Sequence, residues 1–207
     1  MKLPLAALLF TLMATSGRAV EIGGGLAWVA LTGGDRVHGT NDRLRFAPRL
    51  GPGATLTFFE HRRLWIEVSS AASFVPASMR AADGTHAHGG RAIIGPLTAA
   101  VLVPLQASRD LQVFAGAGVL YMVIRRSVFP IDVGDLNVTR LEQPDHLAVL
   151  LEGGARYRLL NRWALVTDVK YGPALSTVEV HARQSPHKTL QANVHPLILG
   201  TNLAWRF

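Results

Sequence analysis

The 207-residue chain contains no cysteine, which rules out disulfide frameworks and thiolate metal sites and leaves its stability to another source. Charge is sparse. Charged residues make up 17% of the chain against 49% hydrophobic, below the roughly 25% of ordinary soluble domains. Lysine and glutamate, which favour helices, are scarce, and no stretch carries the period of an amphipathic helix. No run beyond the N-terminus reaches 18 consecutive apolar residues, so no transmembrane helix is expected. The net charge of +7 is scattered rather than gathered into blocks. Nucleic acid is therefore not the expected counterpart, and an anionic lipid or glycolipid surface suits an exported chain better.

Export is signalled at the start. Lys2 precedes an apolar run over residues 3–13, and the small residues Gly17 and Ala19 stand at the −3 and −1 positions of a signal-peptidase site. The run is short for a membrane-spanning helix. Residues 1–19 are predicted to be a cleaved secretory signal, and residues 20–207 one domain.

The rest of the chain is rich in glycine, valine and threonine and falls into segments of strand length separated by turn residues. Eight strands are predicted, over residues 20–31, 51–60, 63–73, 91–105, 111–126, 146–159, part of 162–181, and 190–207. Their connections alternate. Those at 60–63, 106–110 and 159–162 are short. Those at 32–50, 74–90, 127–145 and 182–189 are long and carry Gly, Pro, Asp, Asn and His. Long and short connections at opposite ends describe an all-β, eight-stranded, antiparallel up-and-down barrel. Outer-membrane barrels have this layout, with short periplasmic turns and longer outside loops.

Alternation along the strands assigns the faces. Trp163, Leu165, Thr167, Val169 and Tyr171 oppose Ala164, Val166, Asp168 and Lys170; Leu203, Trp205 and Phe207 oppose Asn202, Ala204 and Arg206. One face is apolar and the other carries the charge, the pattern of a barrel with lipid outside; a soluble barrel turns its apolar face inward. Tyr157, Trp163, Trp205 and Phe207 fall at strand ends facing the short turns, where an interfacial aromatic girdle belongs. Because a closed barrel has no free edge, the last strand is expected to pair with the first.

Eight strands leave an interior just wide enough for side chains, which argues against an open sugar pore. The expected lumen set divides by chemistry. Trp65, Phe114, Leu120, Met122, Leu150 and Val166 are apolar; Glu67, Glu152, Arg156, Arg158, Asp168, Lys170 and Arg206 are charged. Leu120, Met122 and Ile124 fall toward the outer mouth and the charges toward the periplasmic side. The expectation is an apolar vestibule above a charged plug, so that a small apolar solute enters from outside and leaves sideways into the membrane. The competing expectation is that the charges simply pair to fill the barrel.

Several segments resemble the OmpW family of small outer-membrane barrels. "VFAGAGVLY" at 113–121 is similar to that family's glycine-rich fifth strand and "NRWALVTDVKY" at 161–171 to its seventh. "VHPLILGTNLAWRF" at 194–207 is similar to its closing strand, with His195 where Asn is common. "GPLTAAVLVPL" at 95–105 resembles the fourth strand, with Gly95 where a second proline is usual, and "VSSAASF" at 68–74 more faintly the third. The resemblance implies an eight-stranded monomeric barrel through which small, rather hydrophobic molecules pass. Leu203, Trp205 and Phe207 likewise resemble the C-terminal signal that such barrels present to the outer-membrane barrel assembly machinery. The expected partners are thus outer-membrane lipids, that machinery and small hydrophobic solutes, with no nucleic acid.

Enzymatic and metal chemistry finds little support. Histidines 86, 88, 146, 181, 187 and 195 and serines 127 and 185 sit in loops or at strand mouths, with no nucleophile-elbow motif. His86 and His88 could meet His181 or His187 at a metal, but loop histidines are ordinarily solvated. "GAGVLY" lacks the third glycine and following helix of a phosphate loop, and the Asn137 "NVT" triplet is a chance glycosylation match. No enzyme, cofactor or metal is expected. The rival to a channel or carrier is a non-transporting structural or adhesive barrel whose long extracellular loops bind partners.

Overall fold

The computed structural model describes residues 19–32, 43–60, 64–80, 84, 86–128, 131–133, 136–142, 147–173, 176–182 and 189–207. The expected signal segment, up to residue 18, lies outside the described residues, as do His146 and His187 and parts of the four long connections.

The chain is all-β. Its strands are β1 (Val20–Thr32), β2 (Arg43–Phe46), β3 (Arg49–Glu60), β4 (Leu64–Ala71), β5 (Ser73–Arg80), β6 (His86–Gln106), β7 (Leu111–Val128), β8 (Ile131–Val133), β9 (Leu136–Glu142), β10 (Leu147–Arg158), β11 (Trp163–Tyr171), β12 (Ser176–Ala182) and β13 (Thr189–Arg206). Eight of them, in the order β1-β3-β4-β6-β7-β10-β11-β13, close into an antiparallel barrel when β13 returns to β1. The seam runs from Glu21↔Arg206 to Thr32↔His195, and the Phe207 N–H donates to the Val20 carbonyl at 2.9 Å. Closure leaves no backbone edge in the apolar layer, which lipid would not tolerate.

The barrel continues beyond the membrane band at the long-connection end. β5 follows β4 after a break at Ala72, whose N–H donates to Pro52 O at 3.0 Å. It pairs with β6 and β2, while upper β13 pairs with β12, β12 with β9, and β9 with β8. Four strands, β2, β5, β8 and β9, therefore occupy stretches expected to be loops, while β12 falls within the range 162–181 expected to be strand in part. The four are short and carry no long alternation of their own; β2 pairs with β5 from another connection, and β8 with β9 inside one connection, so local pattern marks them weakly.

The two faces separate as the alternation requires. Leu26, Leu97, Val101, Val119, Val149, Leu165, Val169 and Leu199 are exposed on the outside, an apolar band far larger than a soluble monomer carries. On β11, nine residues from Trp163 to Tyr171 are bounded by aromatic rings at both ends. That length suits a tilted membrane-spanning strand.

Candidate functional site: the braced lumen

The interior is built in three layers, because each inward position lies two residues, about 7 Å, above the last. At the short-turn end, Arg156 donates from Nε and Nη2 to both Glu21 carboxylate oxygens, with Nη2–Oε2 at 2.5 Å. Aromatic rings pack around this pair. Trp65 contacts Phe59 at 5.2 Å and Phe114 at 5.6 Å between centroids, and the guanidinium of Arg206 lies 4.5 Å from the Phe59 ring.

The middle layer is ionic. Lys170 Nζ stands 2.9 Å from Glu67 Oε1, 3.0 Å from Glu152 Oε1 and 2.9 Å from Asp168 Oδ1, and all four side chains are buried. β11 and β4 are four strands apart in either direction around the barrel, so the Lys170–Glu67 contact crosses the full lumen. Asp168 pairs with Gly154 on one side and Gly200 on the other. The absence of side chains there makes room for the carboxylate, since a Cβ on Gly200 would lie 2.7 Å from Asp168 Oδ1. Beside the cluster, Ser69 and Thr98 hydroxyls are 2.6 Å apart.

The outer layer is apolar. Val29, Leu31, Val75, Ile94, Leu120, Met122, Leu150 and Ile198 are all buried. Leu150 is the next inward residue above Glu152 on β10, and Ile198 the next above Gly200 on β13.

Of the residues expected in the lumen, Trp65, Phe114, Leu120, Met122, Leu150 and Val166 are buried, as are Glu67, Glu152, Arg156, Asp168 and Lys170. Trp65 and Phe114 lie in the lowest layer, beneath the ionic one. Arg158 and Arg206 depart from expectation. Both have inward parity but are exposed at the short-turn rim, because they are the last residues of their strands. Arg158 instead faces Asp110 at 3.5 Å and donates to the Arg109 carbonyl at 2.7 Å. The side chain of Ile124 lies outside the described residues. Leu203 and Phe207 are exposed on the outer face, and Trp205 packs edge-on against Trp163 at 4.7 Å.

Sequence reasoning missed Glu21, Thr55, Ser69 and Thr98 as lumen groups; Asn202 had the inward parity but was not singled out. Glu21 sits next to the predicted cleavage site, yet the inward alternation Glu21, Gly23, Ala27, Val29 was there to place it.

Solved structures share this architecture. The chain is similar to the outer membrane protein OprG from Pseudomonas aeruginosa, at 15% identity over 92% of this chain and 96% of that one, with a TM-score of 0.68. It is similar to the outer membrane protein AlkL, at 18% identity over 93% and 90%, with a TM-score of 0.60. It is also similar to the E. coli Outer Membrane Protein W, at 14% identity over 93% and 100%, with a TM-score of 0.52. The fold is that of the bacterial outer-membrane barrels. No family model and no curated protein sequence matches the chain. The OmpW-like resemblance of the strand motifs and this shared architecture point the same way, and the likeness lies in the fold.

Proposed function

We propose that this outer-membrane barrel is a narrow carrier for small, rather hydrophobic molecules, taken up at the outer mouth. The supporting observation is the layering of the lumen. Apolar side chains from β1, β5, β6, β7, β10 and β13 stack above the Lys170 cluster. A small apolar solute gains on transfer into that layer in proportion to its buried area, at about 25 cal/mol per Å². Leu120 and Met122 are the residues it displaces, and methionine adapts readily to irregular neighbours. Below them, the ion-paired layer offers no passage to an uncharged solute, so release is sideways into the lipid. The outer-membrane lipids are thus both solvent and destination, the working unit is a monomer, and the Leu203, Trp205 and Phe207 face serves the barrel assembly machinery.

The test compares uptake of a small apolar fluorescent solute with that of a sugar of similar size into liposomes holding the refolded protein. Faster uptake of the apolar solute alone, lost in Leu120→Asp with the barrel still folded, is the expected result. No enhancement for either solute defeats the proposal.

The cross-lumen Lys170–Glu67 contact favours one second reading, a non-transporting structural or adhesive barrel whose long outer segments engage a partner. No enhancement for either solute, with the barrel folded, is the outcome it requires.

A further inference from the structure

The Lys170 cluster does not balance its own charge. Three carboxylates, Glu67, Glu152 and Asp168, surround one ammonium, so three negative charges less one positive leave a formal excess of two negatives. Buried charges must be compensated, because the protein interior replaces little of the solvation that water gave. Lys170 is the cation that pairs with these three carboxylates, and Arg156 is committed to Glu21 one layer below.

A second observation, independent of the acids, lies beside them. Asn202 is only 3% exposed, and its side-chain carbonyl Oδ1 has no hydrogen-bond partner among the described residues; the same holds for Asp168 Oδ2 and Glu152 Oε2. A buried carbonyl left without a donor is rare in folded proteins. Asn202 and Asp168 line one small cavity together with Thr55, Ser69, Thr98 and Lys170. Its volume is about 20 Å³, room for a single water-sized particle. A water could donate to two of these oxygens but brings no charge. A hard cation satisfies both deficits at once, and every remaining group in the cavity wall that could coordinate it offers oxygen. Calcium suits such a set, since it takes carboxylate, carbonyl and hydroxyl oxygens in irregular geometry, whereas magnesium demands a near-ideal octahedron. One divalent ion also matches the excess of two negatives.

We infer that the barrel binds one calcium-class divalent cation in its lumen, held by Asp168 and Asn202 with the neighbouring hydroxyls of Thr55, Ser69 and Thr98. The site lies within the ionic layer and is independent of whether a solute uses the apolar layer above it. The ion locks that layer by neutralising the carboxylates that Lys170 alone leaves in excess.

The experiment is equilibrium dialysis of the refolded, chelator-washed barrel against radiolabelled calcium, at constant sodium concentration. One calcium per chain is expected. Asp168→Asn keeps the size of the side chain but removes a ligand charge, and should weaken binding by about tenfold or more, at least what the loss of an outer partner costs at metal sites. Asn202→Ser is a second, milder probe that should weaken it several-fold. Asp110→Asn, which removes a carboxylate at the exposed rim, should leave it unchanged. Heat-modifiable gel mobility checks that each variant is folded, and if Asp168→Asn does not fold, Asn202→Ser carries the comparison. A wild-type barrel that binds no calcium overturns the inference and leaves protons as the neutralising charge. Binding unaltered in the folded variants overturns it as well, by placing the ion elsewhere.

Discussion

Lys170 and Glu67 stand on opposite walls of the barrel and meet at 2.9 Å across its axis. This contact converts a tube into a braced structure, because each side chain holds a strand that is not hydrogen-bonded to the other's. Replacing Lys170 with Met should therefore cost about 3–5 kcal/mol, the usual loss when one partner of a buried ion pair is removed. The loss would be read from urea unfolding in lipid vesicles. Adding Glu67→Gln removes one uncompensated charge and should restore part of it; a further loss would contradict the brace.

The glycines around Asp168 provide a steric test. Gly200→Ala places a Cβ 2.7 Å from Asp168 Oδ1, whereas Gly24 has nothing within 4 Å of the same atom. The first substitution should destabilise by about 1–3 kcal/mol, as overpacking does, and the second by less than about 1 kcal/mol. The same unfolding assay ranks them, and equal losses would mean that the wall gives way at Gly200.

The tryptophans report the two faces. Trp65 is buried among Phe59 and Phe114, while Trp163 and Trp205 pair on the outer surface beside Arg162. Single-tryptophan variants in vesicles of brominated lipid should show strong quenching for Trp163 and Trp205 and little for Trp65. Strong quenching of Trp65 would put its strand in the opposite register, because a one-residue slip exchanges every side chain between faces.

Phe207 separates assembly from stability. Its ring is 71% exposed, and the contact that it makes with the barrel wall is a backbone hydrogen bond to Val20. Phe207→Ala keeps that bond and should change the stability of the refolded barrel by no more than about 1 kcal/mol. In cells the same variant should insert into the outer membrane severalfold less. Equal insertion would remove the terminal ring from any role as an assembly signal.

The membrane-embedded part of this architecture is legible because its period is strict. From Leu147 to Arg158 and from Trp163 to Tyr171, alternate residues face lipid or lumen almost without exception. The lumen partners are less legible, since a strand gives the parity of Glu67 and Lys170 but not the strand across the axis that each will meet. Glu21 was hidden by its nearness to the predicted cleavage site. Thr55, Ser69 and Thr98 were hidden by being uncharged. Arg158 and Arg206 have the expected parity and lie at the periplasmic end, but past the level at which the wall encloses them, because sequence does not say where the rim begins. Short strands above the membrane, such as β2, depend on pairing between distant connections and have no local signature.

The seam between β1 and β13 makes this fold an all-or-nothing product. Its first and last strands are separated by nearly the whole chain, yet they pair with each other along the seam. A chain lacking β13 would present bare backbone on both β1 and β11, which lipid does not accept. A partial product therefore has no stable resting place in the membrane, and topology itself acts as the inspection step that separates finished chains from fragments.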